Sequence, residues 1–336
     1  MRSEERTQAP QQIILLTTYH IILTTCNLHY SIYYNMSSWK ELYPFESHYL
    51  SVNDGSGMPL RNVQMHYIDE GPKDAPVILF SHGNPTWSFL FRNLIIGLRD
   101  KYRCVAADGV GMGLSDKGFC LTEYPFTLGR RADDLCSLID ELQLTDITLV
   151  AHDWGGPIGM CAAVRRQDKF KRFSFSNTSL FRKAKDKCPF WIGLARNPLI
   201  AKPAVQGLNM FCRAASKWCT EKPLPKEVKQ GYMEPYNNWS NRRAVYEYVQ
   251  DIPFKPGDRS WDALIESEQG MTIFEEYPVL LPWGMKDWCF SPEEYLGTFK
   301  EKFVNSTALE FANAGHYVYE DEPDACLEAL KSFMEK

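Results

Sequence analysis

The chain has 336 residues, 44% of them hydrophobic and 24% charged, with a formal net charge of −5. These values describe a folded globule and exclude a collagen-like, disordered or disulfide-scaffold chain. No basic stripe marks a nucleic-acid partner. The length suits two domains, or one α/β domain carrying an insertion. The nine Trp pose a question of their own, because a buried indole N–H needs an acceptor.

Residues 1–35 differ from the rest of the chain. Ile13 to Tyr34 is rich in Ile, Leu, Thr and Tyr but is broken by His20, Asn27 and His29, which makes it too polar for a transmembrane helix. Arg2 and Arg6 are offset by Glu4 and Glu5, and no small-x-small cleavage site succeeds them, so it is also a poor signal peptide. The segment reads as an extension: either a spurious start with true initiation at Met36, or a disordered or weakly membrane-associated tail. The ten cysteines include no C-x-x-C pair and no zinc-finger spacing. They read as free, buried thiols in a reducing cytoplasm, so no metal is expected.

From about Tyr49 the chain alternates strand and helix. Short apolar strands are expected at Tyr49–Val52, Met65–Asp69, Val77–Ser81, Arg103–Ala107, Ile147–His152, Phe173–Asn177, Val279–Pro282 and Ala308–Ala312. Helices are expected at Leu128–Leu142 and Pro157–Arg166. Such alternation predicts an α/β fold: a mostly parallel eight-stranded sheet flanked by helices. The first two strands lack a helix between them and should be antiparallel. About a hundred residues separate the sixth and seventh strands, rich in Lys, Pro, Trp and Tyr and without clear strands. A structureless loop of that length is implausible, so a helical cap is expected. The expected organisation is an extension over 1–35, a core over 40–180 and 266–336, and a cap over 181–265.

The chemistry concentrates at Leu149-Val150-Ala151-His152-Asp153-Trp154-Gly155-Gly156. A buried strand, a turn made possible by small residues, and a helix form the context of a nucleophile elbow. Asp153 stands where a serine hydrolase carries Ser. A carboxylate is already ionised at neutral pH and can attack an electrophilic carbon directly. Taken alone, the same residues suit a helix N-cap before packing glycines. Two later loops tip the balance. His316, in Ala314-Gly315-His316-Tyr317 after the last strand, is placed to act as general base. Asp287, in Trp283-Gly284-Met285-Lys286-Asp287 after the seventh strand, is placed to orient it. The order nucleophile, acid, histidine is that of α/β-hydrolases.

The early loop Ser81-His82-Gly83-Asn84-Pro85 occupies the place of an oxyanion loop. The backbone N–H groups of Asn84 and Trp154 could form the oxyanion hole. The Asn84 amide and the Trp154 indole then supply two neutral donors beside the nucleophile, which suits a weakly basic leaving anion such as halide.

With these residues in place, the chain resembles the haloalkane dehalogenases of the α/β-hydrolase superfamily. The matching stretches are His82–Arg92 (HGNPTWSFLFR), Asp108–Lys117 (DGVGMGLSDK), His152–Gly156 (HDWGG), Trp283–Asp287 (WGMKD) and Ala314–Asp321 (AGHYVYED). Gly231–Tyr236 and Arg242-Arg243 up to Asp251-Ile252-Pro253 resemble the family's cap. The resemblance implies Asp153 as nucleophile, His316 as base, Asp287 as acid, and Asn84 with Trp154 as the halide pair, the combination of the third subfamily. No carboxylate stands in Ser176–Leu180, where other subfamilies place the acid. The resemblance also implies a small halogenated hydrocarbon as substrate, with water and halide as the other small molecules, and no cofactor. Trp191, Trp218, Trp239 and Trp261 remain candidates for the pocket lining. An epoxide hydrolase using the same triad with Tyr232, Tyr236, Tyr246 or Tyr248 is the alternative. A luciferase-like oxygenase or a non-catalytic binding protein on this scaffold stands further off.

Overall fold

A computed structural model describes residues 38–53, 62–121, 123–182 and 196–336. The expected N-terminal extension, Trp191, and Cys26 and Cys188 lie outside the described residues. The chain divides after Leu42. In the first unit the described residues form one 3-10 turn, Trp39–Leu42. The second unit, Tyr43–Lys336, holds the sheet, its flanking helices and the inserted cap.

Its centre is one eight-stranded sheet: β1 His48–Asn53, β2 Asn62–Glu70, β3 Val77–Ser81, β4 Arg103–Ala107, β5 Ile147–His152, β6 Phe170–Ser176, β7 Val279–Gly284 and β8 Ser306–Phe311. The spatial order is β1-β2-β4-β3-β5-β6-β7-β8. β2 pairs antiparallel with both β1 and β4, and the remaining neighbours are parallel. β3 and β5 are buried along their whole length, as strands covered by helices on both faces must be. This is the expected α/β-hydrolase architecture. β6 begins three residues before the expected start. Lys171 is exposed and breaks the apolar run, but Phe170 is buried and pairs with Ile147 across a register shift.

The helix Gly155–Arg165 packs on one face of the sheet, between Leu128–Glu141 and Trp261–Ile273. On the other face Arg92–Leu98 meets Pro323–Met334. The inserted region is helical where described: Pro198–Lys202, Met210–Trp218, Lys226–Met233 and Arg243–Gln250. The helix Trp261–Ile273 runs across the expected cap boundary at 265/266 and packs on the core. One buried ion pair ties the cap to the core, Arg131 Nη1 to Asp251 Oδ2 at 2.9 Å.

β3 and β5 lie side by side in the sheet, yet the chain leaves them in different directions, β3 toward β4 and β5 toward β6. Loops at such a switch point splay apart and leave a crevice. The turn after β5 fits there only because Gly155 has no side chain. A Cβ on it would sit 1.8 Å from the Ser81 carbonyl oxygen. Gly155→Ala should therefore lower stability by about 3 kcal/mol, the upper range for overpacking a core, and move the urea midpoint down. An unchanged midpoint would contradict this packing.

Six of the described cysteines, 104, 136, 161, 212, 219 and 326, are buried free thiols, while Cys289 is exposed. The indoles of Trp87 and Trp283 are fully buried, and their N–H groups donate to the carbonyls of Gly231 and Phe290. Trp218 and Trp239 face outward, 62% and 49% exposed. Trp218 ends the amphipathic helix Met210–Trp218 and Trp239 lies in the turn before Ser240, and both face away from the interior.

Candidate active site

Asp153 follows β5 with φ = 51°, in the left-handed region. A non-glycine residue held there signals a turn that its surroundings enforce. The backbone carbonyl of Asp153 accepts the Thr178 hydroxyl at 2.5 Å, and its N–H donates to the Asn177 carbonyl at 3.2 Å. The elbow is thus clamped from the end of β6, and the side chain stands at the crevice.

The two carboxylate oxygens of Asp153 have different surroundings. Oδ1 accepts the backbone N–H of Asn84 at 2.6 Å, and the backbone N–H of Trp154 also bonds this carboxylate. Oδ2 lies 3.8 Å from His316 Nε2. Burial raises the Asp153 pKa, while His316 and the two backbone N–H groups pull it back. The expected oxyanion donors are therefore assembled on the nucleophile itself.

His316 comes from the loop after β8. Its Nδ1 lies 2.9 Å from Asp287 Oδ2, so this nitrogen carries the donated proton and Nε2 faces Asp153 free to accept one. Burial works to lower the His316 pKa, but Asp287 and then Asp153 hold it above the usual imidazole value of 6.5. Burial would likewise raise Asp287. The charge and hydrogen bond of His316, the Cys289 N–H at 2.7 Å and the Asn177 amide at 2.9 Å keep it below the usual carboxylate value. All three expected triad residues thus meet, from three loops at three strand ends.

The expected halide pair is placed less evenly. Trp154 packs edge-on to Tyr248 and is half-buried. Its indole N–H makes no hydrogen bond among the described residues. The Asn84 amide donates one N–H to the cap carbonyl of Val245 at 3.2 Å, which leaves the second N–H. The Asn84 Oδ1 is buried without a partner.

Several neighbours have roles that the sequence does not disclose. Asn177 stands after β6, where the sequence is notable only for lacking a carboxylate. Its Nδ2 donates to Asp287, and its Oδ1 accepts the Gly284 N–H at 3.0 Å. His82 Nδ1 donates to the Gly83 carbonyl at 2.8 Å, and its Nε2 accepts the Gly109 N–H at 2.9 Å, which fixes the loop that presents Asn84. His152 donates from Nε2 to the His316 carbonyl at 2.8 Å. Burial first, and then the charge of His316, push its pKa down to about 3, so it stays neutral. Both histidines lie beside expected site residues. Only the fold shows that they orient loops.

Among the four cap tyrosines, Tyr232 donates its hydroxyl to Glu320 at 2.5 Å and Tyr236 donates to the Thr86 carbonyl at 3.3 Å. Among the described residues no group of three or more His, Cys, Asp or Glu could hold a metal ion, and no helix is long and apolar enough to cross a membrane.

The family described as alpha/beta hydrolase fold matches residues 76–323. A haloalkane dehalogenase of Psychrobacter cryohalolentis is 41% identical over 305 residues, covering 87% of this chain and 93% of its own. The chain belongs to the haloalkane dehalogenase family of the α/β-hydrolase superfamily. A cis-3-alkyl-4-alkyloxetan-2-one decarboxylase of Shewanella oneidensis is 38% identical over 296 residues, covering 87% of this chain and 89% of its own. The crystal structure of the haloalkane dehalogenase DbeA from Bradyrhizobium elkani superposes with a TM-score of 0.75 at 25% identity, covering 87% of this chain and 98% of that one. The relatives of this chain are thus named for two reactions, and Asp153, His316 and Asp287 meet in its crevice.

Proposed function

We propose that Asp153 displaces an anionic leaving group from an sp³ carbon, and that the substrate is a haloalkane. The carrying observation is the arrangement around the Asp153 carboxylate: two backbone N–H groups hold it, that of Asn84 on Oδ1, while Oδ2 is turned toward His316. Oδ2 attacks the carbon in line, the carbon–halogen bond breaks, and halide leaves with the electron pair. The Trp154 indole N–H and the second N–H of Asn84 stabilise that anion as it forms. An alkyl ester of Asp153 remains.

His316 Nε2 then removes a proton from water, whose oxygen attacks Cγ of the ester. The oxyanion develops on Oδ1, already hydrogen-bonded to the Asn84 N–H, with the Trp154 N–H bonded to the same carboxylate. Collapse expels the alkoxide, which takes the proton from His316 and leaves as alcohol. The acid left at Asp153 returns one proton to solvent. Asp287 stabilises the imidazolium throughout.

This route sets a pH dependence. The second step needs neutral His316, so its rate falls as pH drops through a pKa that lies above 6.5. Alkylation removes the Asp153 charge, but the larger support from Asp287 stays. Rapid-quench kinetics should show the first-turnover halide burst persisting at pH values where alcohol formation has already declined. Parallel loss of both products from pH 7 downward would contradict the assignment of His316.

A second reading is favoured by the decarboxylase relative, which matches most of this chain. In an oxetan-2-one, Oδ2 would attack ring carbon C4, the C4–O bond would break, and a carboxylate would leave on the same molecule. Cleavage of the C3–CO₂ bond then forms the C3=C4 double bond and expels Asp153 from C4, releasing CO₂ and an alkene without consuming water. For epoxide opening, Tyr232 and Tyr236 are spent on Glu320 and Thr86, which leaves Tyr246 and Tyr248, the latter beside Trp154, as ring-oxygen donors. The test is a panel of bromoalkanes and cis-dialkyl oxetanones given to the same preparation, with Asp153→Ala as control. Bromide with alcohol supports the first reading. Alkene with CO₂ and no bromide replaces it with the second.

A further inference from the structure

We propose that the outer face of the cap docks on an anionic lipid surface. Residues 196–220 contain four basic residues, Arg196, Lys202, Arg213 and Lys217, and no acidic one, in a chain of net charge −5. Lys202, Arg213 and Lys217 form no ion pair with any described residue. Between these cations the cap exposes large apolar side chains: Leu199 at 87%, Leu208, Met210, Trp218 and Trp239. Single exposed apolar residues are ordinary, but Leu208, Met210 and Trp218 share one surface. An open groove of about 790 Å³ brings Leu208, Met210, Arg213, Lys217 and Trp218 together. At one end Trp239 lies against Gly207, and at the other the Trp288 indole donates to the Trp218 carbonyl at 3.3 Å.

Apolar and basic side chains interleaved on one face match the interface of a bilayer, where Trp and Leu enter the headgroup boundary and Lys and Arg meet anionic headgroups. One acidic residue, Glu234, lines the groove and leaves the cations in excess. A second copy of this chain fits less well, because a two-fold contact here would set the same cations against each other. The lipid surface does not depend on which leaving group Asp153 displaces.

The test is flotation of the full chain with phosphatidylcholine vesicles, with and without phosphatidylglycerol. The wild type should float with the anionic vesicles, more weakly at high salt, and hardly at all with phosphatidylcholine alone. Each cation removed should weaken binding about fivefold, so R213E/K217E should lose more than about 25-fold. Trp218→Ala should also weaken it. Turnover of a short soluble substrate should be unchanged in these variants, which shows that they fold. Equal flotation of R213E/K217E, or no flotation of the wild type, would overturn the proposal. So would concentration-dependent self-association, without vesicles, that the same variants abolish.

Discussion

His316→Phe should produce an enzyme that reacts once. The first step needs ionised Asp153, an in-line carbon and donors for the departing halide; His316 supports only the first of these, and there the Asn84 and Trp154 N–H groups remain. The second step needs a base on the attacking water, and the described site offers no other. His152 is neutral and turned to a backbone carbonyl, while His82 has both nitrogens engaged. General-base catalysis contributes roughly 10²–10⁴-fold, so steady-state turnover should fall by about that factor. A burst of one halide per active site should remain. Intact-protein mass spectrometry should find the alkyl adduct, and peptide mapping should place it on Asp153. A variant that releases no burst and carries no adduct would remove His316 from the hydrolytic step. On an oxetanone the same variant should be far less affected, since that route consumes no water.

Asp287→Asn is expected to be nearly as damaging, although it is isosteric. Asp287 now accepts three donors: His316 Nδ1–H, the Cys289 N–H and the Asn177 amide. An amide in its place offers one acceptor oxygen and an NH₂. If the oxygen stays on the Cys289 N–H, the NH₂ confronts both Asn177 and His316. The imidazole would then turn its unprotonated nitrogen toward residue 287 and present Nε2–H to the ester, the wrong tautomer for a base. The comparable change in a Ser-His-Asp triad costs about 10⁴ in kcat, and a fall of about 10³–10⁴ is expected here in alcohol formation. The halide burst should survive, as in His316→Phe. Because two buried amides would face each other, a drop in the thermal midpoint should accompany it. Full activity would mean that Asp287 plays no part in orienting His316.

The fold was legible because the central parallel strands β3, β5 and β7 are buried along their length. β3, β4 and β5 begin and end where their apolar runs do. β6 was less so, since Lys171 interrupts its pattern at an exposed position and only pairing with β5 extends the strand to Phe170. The meeting of Asp153, Asp287 and His316 was legible for a different reason. Each member sits in a loop directly after a strand, and α/β-hydrolase topology brings those strand ends to one crevice. What the sequence did not disclose are the groups that act through others. Asn177, His82 and His152 carry no distinctive spacing, and their partners are backbone atoms or side chains more than a hundred positions away or in neighbouring turns. The cap resisted reading for a further reason. Its amphipathic helices show an apolar side, but nothing in their periodicity tells whether Trp218 turns inward or out, and Trp239 lies in a turn that has no periodicity to read.

The central claim is that Asp153 becomes covalently bonded to the substrate carbon. It is tested most directly by a first turnover of a bromoalkane in H₂¹⁸O with enzyme in excess. Attack of water at Cγ puts one heavy oxygen into the Asp153 carboxylate and leaves the product alcohol with the light oxygen of Oδ2. The expected result is a two-dalton gain in the peptide that contains Asp153 and unlabelled alcohol. Labelled alcohol with an unchanged Asp153 peptide would mean that water attacks the substrate carbon directly, and would contradict the mechanism.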